Sequence, residues 1–313
     1  MEARLQKSNL LSVVGPTGSG KTAVSLVLAE RLNGEIVSAD SRQIYRHLDI
    51  GTAKPTKEER KRIPHHFIDI LDLSEDYSAG KFGGVARETI LDILGRGKQP
   101  ILVGGSGLYI KAVTQGLFDG PEKNTEIRNQ LETLLKEEGP DTLLATLERI
   151  DPESAVRMER SKPRRIIRAL EVYYVTGVPI SKFHREQSTP PPFEVHQFGL
   201  DWPRDILYRR INDRVDAMLS GGLVGEVKQL LARGYGKGLN ALNTVGYKEV
   251  LDYLGGNLDY DEAVNLMKRN TRRFAKRQMT WFRADKSITW IKLSDSQSVE
   301  NVAGIILDRF SSG

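Results

Sequence analysis

A glycine-rich segment near the start of the 313-residue chain has the residue types that bind phosphate. It matches the pattern G-x-x-x-x-G-K-[ST] at each fixed position. The glycines let successive main-chain N–H groups converge on phosphate oxygens, and the start of a helix adds partial positive charge. Lys21 supplies a point charge, and Thr22 supplies a hydroxyl ligand for Mg²⁺. The predicted phosphate site consists of Gly15, Pro16, Thr17, Gly18, Ser19, Gly20, Lys21 and Thr22.

A carboxylate, Asp40, follows the apolar segment 35–39. Open α/β sheets place ligand groups at the carboxyl ends of their strands, which favours a site residue. An Asp-Ser pair is equally typical of a turn or helix cap, and position alone leaves both roles open. The apolar segment 101–103 ends instead in Gly-Gly-Ser-Gly, where a nucleotide triphosphatase usually has an acid that holds Mg²⁺. This favours an enzyme with a diphosphate in the loop and an acceptor opposite.

Short apolar segments alternate with helical patterns around these residues, which predicts a parallel sheet covered on both faces. Strands are expected at 10–14, 35–39, 66–71, 100–103, 195–201 and 288–293, and helices at 21–32 and 77–94. Between 120 and 196 only helical patterns occur, at 125–138, 141–149, 163–176 and 180–187. The predicted fold is α/β, a P-loop parallel-sheet core (1–119 and 195–313) with an all-helical insertion domain (120–194).

Composition limits the classes of protein. The chain has no cysteine, which excludes disulfides, thiolate metal sites and a cysteine nucleophile. Its five histidines lack metal-ligand spacing, so no zinc is expected. The first apolar run is too short for a signal peptide or a membrane span, and we expect a cytoplasmic protein with no membrane association. A monomer is the default expectation. A net charge of +5 permits a polyanionic partner without requiring one.

The chain resembles bacterial tRNA dimethylallyltransferases over essentially its whole length. Besides the loop 15–22, the matching segments are SADSRQIYRHLDIGTAKP (38–55), PILVGGSGLY (100–109), PRRIIRALEV (163–172), TVGYKE (244–249) and TRRFAKRQMTWFR (271–283). Several matches in one order are far more specific than the phosphate loop alone. Ser106 stands where the family often has threonine, and this change keeps a hydroxyl.

The resemblance implies transfer of a dimethylallyl group from dimethylallyl diphosphate to N6 of the adenine immediately 3′ of the anticodon. Asp40 would take the proton from the amine. Lys21, the loop amides and Mg²⁺ on Thr22 would stabilise the leaving diphosphate, and Arg214 would approach it. The tRNA anticodon stem-loop would contact Asp40, Ser41, Arg42, Gln43, Ser106, Arg128, Arg164, Arg165, Ile166, Ile167 and Arg168.

A second basic segment, 268–286, has eight basic residues and one acidic residue. Arg269, Arg272, Arg273, Lys276 and Arg277 recur at helical spacing and form one stripe. Such a stripe is often only a solvated face, but together with the resemblance it favours RNA. Met267, Phe274, Gln278 and Trp281 are the expected packing side. Two alternatives remain open here: a small-molecule kinase, and a non-catalytic RNA-binding protein that uses the loop as a nucleotide switch.

Overall fold

The computed structural model describes residues 9–118, 120–186 and 190–312. Its elements in chain order are β1 (Asn9–Val14), α1 (Lys21–Arg31), β2 (Gly34–Ala39), α2 (Lys57–Arg62), β3 (His65–His66), α3 (Ala79–Gly95), β4 (Gln99–Gly104), α4 (Gly107–Thr114), α5 (Thr125–Glu138), α6 (Pro140–Ile150), α7 (Pro152–Val156), α8 (Pro163–Thr176), α9 (Ile180–Glu186), β5 (Glu194–Asp201), α10 (Arg204–Ser220), α11 (Leu223–Ala232), a 3₁₀ turn (Asn240–Leu242), α12 (Tyr247–Leu254), α13 (Tyr260–Arg283), β6 (Ile288–Lys292) and α14 (Val299–Ser311).

The six strands form one parallel sheet in the order β3-β2-β4-β1-β5-β6. Leu11 and Val13 of β1 belong to a core that α1 and α14 also form. Leu10, whose side chain lies on the opposite face because strand side chains alternate, is also fully buried. Both faces of the sheet are therefore covered, which confirms the predicted α/β class.

The register of the sheet places the ends of three strands at one level. Gly104 of β4 pairs with Val14 of β1 on one side and with Ala39 of β2 on the other. The phosphate loop, Asp40 and Gly105 each follow one of these residues directly. The segments that carry the predicted chemistry therefore begin side by side at the carboxyl edge of the sheet.

The predicted strand 66–71 is wrong in its extent. Only His65 and His66 pair with β2, and Leu71 forms an isolated bridge with Tyr45. Phe67 (φ 64°) and Asp69 (φ 59°) have left-handed backbone conformations, which a continuous strand cannot contain.

The chain divides into two compact units. The first comprises residues 9–77, 84–110 and 192–312 of the described chain, and the second comprises 78–83 and 111–191 without the undescribed 119 and 187–189. Helices α5 to α9 of the second unit enclose a core that includes Leu143, Leu147, Ile166 and Leu170. Residues 192–194, predicted to be part of the insertion, belong to the first unit because Glu194 begins β5.

No helix in the described part of the chain is long and apolar enough to span a membrane.

Candidate active site

The phosphate loop connects β1 to α1 through three glycines with positive φ, Gly15, Gly18 and Gly20. At Gly18 a Cβ would lie 3.0 Å from the Ile211 side chain, so only glycine suits both the space and the φ of 79°. Gly20 (φ 87°) immediately precedes α1, which begins at Lys21. The strand, glycine loop and helix predicted from the sequence are therefore present at these residues.

Side chains of the first unit donate hydrogen bonds to the carbonyl groups of this loop. Lys21 Nζ donates to Pro16 O (2.7 Å), Trp202 Nε1 donates to Ser19 O (2.9 Å), and Arg210 Nε donates to Gly18 O (3.0 Å). No local pattern singles out Trp202 or Arg210, because both lie about 180 residues or more from their acceptors.

The main-chain N–H groups of this loop remain available for an anion. Those of Gly18, Gly20, Lys21 and Thr22 have no hydrogen-bond acceptor among the described residues. They converge at the N-terminus of α1, where the helix dipole favours negative charge. Unpaired amides together with a positive helix end are the arrangement that commonly binds phosphate in proteins.

Two cations, Lys21 and Arg214, line the same cavity. Burial, and secondly the neighbouring Arg214 guanidinium, lower the pKa of Lys21 to about 7, while Asp40 counteracts them in part. Burial likewise lowers the pKa of Arg214, with Asp40 acting in the opposite direction. These two cations repel each other, and a bound polyanion would offset that repulsion.

Asp40 caps a turn and also lines the cavity. Its Oδ1 accepts hydrogen bonds from the main-chain N–H groups of Arg42 (2.9 Å) and Gln43 (3.4 Å), which makes it a turn cap. It is half-buried and lines the cavity together with Lys21 and Thr22. Within the described chain its Oδ2 has no hydrogen-bond donor. One oxygen therefore fixes the carboxylate, and the other remains available to accept a proton.

The predicted neighbours of Asp40 lie at the cavity, but several are engaged by the protein. Ser106 Oγ accepts from Ser41 N–H (3.0 Å) and donates to Ser41 Oγ (3.2 Å). Arg42 Nη1 donates to Asn240 O (2.7 Å). Gln43 Nε2 donates to Thr52 O and Ala53 O (both 3.2 Å), and its Oε1 accepts from Ser38 Oγ (3.3 Å). The structure gives Gln43 a role in holding the loop 52–53.

The cavity has a volume of about 350 Å³, within the range of small-molecule sites. Besides the charged groups, its lining includes apolar side chains from distant parts of the chain. Among them are Ile68, Val103, Val215, Met218, Val245, Met267 and Phe274. The cavity therefore combines a charged end with an apolar surface, as a ligand with a diphosphate and a hydrocarbon part requires.

No acidic side chain fits at the end of β4. A Cβ on Gly104 would lie 2.1 Å from Ala39 O, and one on Gly105 would lie 2.4 Å from Gln278 Nε2. Gln278 Nε2 donates to Gly105 O (2.8 Å), and Gln278 Oε1 accepts from Thr17 N–H (2.9 Å). Close packing therefore excludes here the carboxylate that a nucleotide triphosphatase would use. The helical spacing of α13 places Gln278 only among the packing residues, and no local pattern indicates this link.

The Thr22 hydroxyl is a suitable metal ligand in the loop. Thr22 lines the cavity, and its hydroxyl has no hydrogen-bond partner among the described residues. The described residues contain no group of three or more His, Asp or Glu that would hold a metal ion by themselves. Mg²⁺ commonly takes one or two protein ligands and fills its octahedron with phosphate oxygens and water. The donor set therefore fits Mg²⁺ bound together with a phosphate ligand.

In the second unit, two predicted RNA contacts hold a buried acid. Glu171 is fully buried and accepts from Arg128 Nη2 (2.6 Å) and Arg168 Nη1 (2.9 Å). Burial by itself would raise the pKa of Glu171, but these two guanidinium groups hold it below the ordinary value. Arg168 Nη2 also donates to Pro121 O (2.9 Å). Arg128 and Arg168 thus stabilise the fold of this unit.

The other predicted contacts of α8 divide by burial. Ile166 and Ile167 are 0% and 4% exposed and belong to the core, so only their main chain can meet a ligand. Arg164 and Arg165 are exposed in the first turn of the helix and form no ion pair with the described residues. These two arginines are the cations of α8 that are available to a polyanion.

The basic stripe of α13 is largely exposed, but its expected packing side is partly wrong. Met267 and Gln278 are buried, whereas Phe274 and Trp281 are 39% and 41% exposed. The buried face follows Ala263, Met267, Ala275, Gln278 and Phe282 instead. Phe274 lines the cavity, and Trp281 covers Gly107, where a Cβ would lie 2.2 Å from the indole ring.

Comparison with known proteins assigns the family. The family model described as IPP transferase matches residues 43–285. The chain is 48% identical to a tRNA dimethylallyltransferase of Pelotomaculum thermopropionicum over 304 residues, 97% of this chain and 96% of that protein. It is 47% identical to tRNA dimethylallyltransferase 1 of Trichlorobacter lovleyi over 293 residues, 93% of this chain and 96% of the relative.

Solved structures agree with this assignment. The full-length tRNA isopentenylpyrophosphate transferase of Bacillus halodurans is 41% identical, with a TM-score of 0.71 and coverage of 98% of both chains. A eukaryotic dimethylallyltransferase, solved acting on tRNA, is 30% identical with a TM-score of 0.79, covering 97% of this chain and 80% of that one. The chain belongs to the IPP transferase family.

Proposed function

We propose that the protein transfers a dimethylallyl group from dimethylallyl diphosphate to N6 of the adenine immediately 3′ of the anticodon in tRNA, releasing diphosphate. The observation that carries this proposal is the free Oδ2 of Asp40 in the same cavity as Lys21, Thr22 and the unpaired loop amides. The cavity thus joins a proton acceptor to an anion site, and the family's relatives are named for this transfer.

Dimethylallyl diphosphate would bind with its charged end in the phosphate loop. The amides of Gly18, Gly20, Lys21 and Thr22 and the side chains of Lys21 and Arg214 would contact its oxygens. The branched hydrocarbon would lie against apolar side chains such as Met218, Val245 and Met267. Lys21 would then be fully protonated, because the anion restores the pKa that Arg214 and burial depress.

The transfer exchanges one bond for another. The adenine N6 lone pair forms a bond to the allylic carbon as the bond from that carbon to the diphosphate oxygen breaks, and the electron pair leaves with the diphosphate. The attacking amine becomes acidic, and its proton passes to Asp40 Oδ2. Lys21, Arg214 and the loop amides stabilise the charge that grows on the leaving group.

The partner in this proposal is the tRNA anticodon stem-loop. The target base lies in a stacked loop, so the enzyme would extrude it into the cavity at a cost of a few kcal/mol. Arg164 and Arg165 on α8 and the exposed cations of α13 would bind the tRNA phosphates. Mg²⁺ on the Thr22 hydroxyl would neutralise part of the diphosphate charge. The protein would act as a cytoplasmic monomer.

The test is to incubate the protein with tRNA, Mg²⁺ and dimethylallyl diphosphate and to analyse the nucleosides by mass spectrometry. The expected result is a mass shift of one dimethylallyl group on adenosine, located by fragmentation next to the anticodon. A parallel reaction replaces dimethylallyl diphosphate with ATP. Phosphoryl transfer or ATP hydrolysis in that reaction, without prenylation in the first, would support the kinase alternative and contradict the proposal.

A further inference from the structure

A carboxylate that does not line the cavity, Glu226 of α11, binds three consecutive main-chain amides. Its Oε2 accepts from the N–H groups of Asp49 (3.1 Å) and Ile50 (2.8 Å). Its Oε1 accepts from Gly51 N–H (3.4 Å) and from the Tyr247 hydroxyl (2.5 Å). No cation of the described chain forms an ion pair with Glu226. Four neutral donors therefore hold this half-buried charge, as in an anion-binding nest.

The segment that Glu226 binds has a backbone that needs such support. His47 (φ 66°) and Ala53 (φ 46°) have left-handed conformations, which are unfavourable at a non-glycine residue. Between them, Gly51 lies under the Tyr247 ring, where a Cβ would be 2.5 Å from the ring carbon Cε2. Burial is the main cause, and the Glu226 carboxylate the second, of a Tyr247 pKa far above the ordinary value. The phenol therefore remains a hydrogen-bond donor.

The same segment provides an acceptor for the candidate diphosphate site. Thr52, which directly follows the last amide bound by Glu226, accepts from Arg214 Nη2 (3.3 Å) and Gln43 Nε2 (3.2 Å) through its carbonyl. Thr52 O is the hydrogen-bond acceptor of Arg214 within the described chain. The position of the Arg214 guanidinium beside Lys21 therefore depends on where this carbonyl lies.

We propose that Glu226 is a positioning residue for the diphosphate site. By holding the N–H groups of residues 49–51, it fixes the Thr52 carbonyl, and that carbonyl orients Arg214 toward the bound diphosphate. The inference rests on the proposed function for the identity of the anion. It extends that function to a residue that contacts neither substrate, and it explains why Gly51 and Tyr247 are matched in shape.

The change Glu226→Gln tests this role. A glutamine keeps the size of the side chain, but it offers one acceptor oxygen and turns an NH₂ group toward N–H donors. We expect the Kd for inorganic diphosphate, measured by calorimetry, to rise about tenfold. Glu262→Gln is the matched control, because Glu262 also accepts a main-chain N–H (from Asp259, 3.1 Å) but lies away from the cavity lining. Its Kd should equal that of the wild type.

A double-mutant cycle with Arg214→Ala separates positioning from simple stabilisation of the fold. If Glu226 acts through Arg214, the double variant should bind diphosphate no more weakly than Arg214→Ala alone. Additive losses, or an unchanged Kd in Glu226→Gln, would overturn the proposal. If Glu226→Gln does not fold, Tyr247→Phe replaces it, since it removes one donor of the four. A smaller, equally non-additive loss is then expected, and an unchanged Kd would refute the role.

Turnover distinguishes this inference from the proposed function. In Glu226→Gln the rise in KM for dimethylallyl diphosphate should exceed the fall in kcat, because the ligand site is disturbed and Asp40 is not. A wild-type protein that binds diphosphate in the predicted Glu226-dependent way but prenylates no tRNA would refute the proposed function alone. Normal prenylation with no dependence on Glu226 would refute the inference alone.

Discussion

At the scale of single residues, the two oxygens of Asp40 have different surroundings. Oδ1 caps the turn at Arg42 and Gln43, whereas Oδ2 has no donor within the described chain. The substitution Asp40→Asn keeps an oxygen for the cap and removes the base. We expect it to lower the single-turnover rate by roughly 10²–10⁴-fold, the scale of general base catalysis.

The measurement for Asp40 is single-turnover prenylation together with tRNA affinity. Asp40→Asn should keep the wild-type Kd for tRNA because the turn is preserved, and Asp40→Ala serves as the variant that loses both cap and base. An Asp40→Asn enzyme as fast as the wild type would remove Asp40 from the chemistry.

Lys21 gives a pH-dependent prediction. Its pKa of about 7 in the free protein is depressed by burial and by Arg214, and a bound diphosphate raises it again. Binding therefore requires the protonated form, and the affinity for diphosphate should fall as pH rises above about 7. Calorimetry with inorganic diphosphate from about pH 7 to about pH 9 measures this fall. In Lys21→Met the affinity should be lower throughout and nearly independent of pH in that range, and an unchanged slope would contradict the assignment.

At the scale of elements, the site depends on how α13 meets the edge of the sheet. Gln278 of α13 accepts from Thr17 N–H of the phosphate loop and donates to Gly105 O after β4. Its side chain is buried, so the change Gln278→Leu leaves both groups without a partner. We expect the free energy of unfolding to fall by about 1 to 3 kcal/mol for each group left unpaired. We also expect diphosphate to bind more weakly.

Urea unfolding and calorimetry measure the two effects of Gln278→Leu. Lys276→Gln, on the exposed side of α13, is the matched control. Lys276→Gln should change neither the free energy of unfolding nor the affinity for diphosphate. Full stability and affinity in Gln278→Leu would show that the link has no energetic role.

The pairing of α5 with α8 is a second prediction at this scale. Arg128 neutralises the fully buried Glu171 together with Arg168, so Arg128→Met leaves a partly uncompensated buried charge. We expect the free energy of unfolding to fall by up to about 3 kcal/mol. This is the low end for breaking a buried ion pair, because Arg168 remains. The double change with Glu171→Leu should recover part of it in thermal or urea unfolding. If Arg128→Met keeps full stability and weakens only tRNA binding, Arg128 is instead a direct RNA contact.

At the scale of the whole molecule, the proposed tRNA binding rests on exposed cations. Arg164 and Arg165 of α8 form no ion pair with the described residues, and so each is available to release a counterion from RNA. Changing both to Gln should lower the magnitude of the slope of log K against log salt by roughly 0.7 to 0.9 per charge. Filter binding with tRNA at several salt concentrations measures the slope.

The control for this charge effect is Lys228→Gln, an exposed lysine on α11. It removes charge without touching either basic element, and its slope should match the wild type. An unchanged slope in the Arg164/Arg165 variant would show that α8 does not meet the RNA backbone.

The sequence by itself determined the local features of this protein. The pattern of residues 15–22 predicted a strand, a glycine loop and a helix, because glycine placement and apolar periodicity act over a few residues. The helices 125–138 and 163–176 follow their predicted bounds for the same reason. The family followed from several motifs in one order.

Only the tertiary structure decided which distant groups meet. Gln278 reaches Thr17 across 261 positions, and Glu226 reaches Asp49 across 177, because strand order and helix packing bring them together. No local pattern encodes such pairs. The same reason explains the errors, since the left-handed residues Phe67 and Asp69 end β3 within an apolar segment that looked continuous. Tertiary contacts also show that Arg128, whose contact with RNA stays a prediction, neutralises a buried acid.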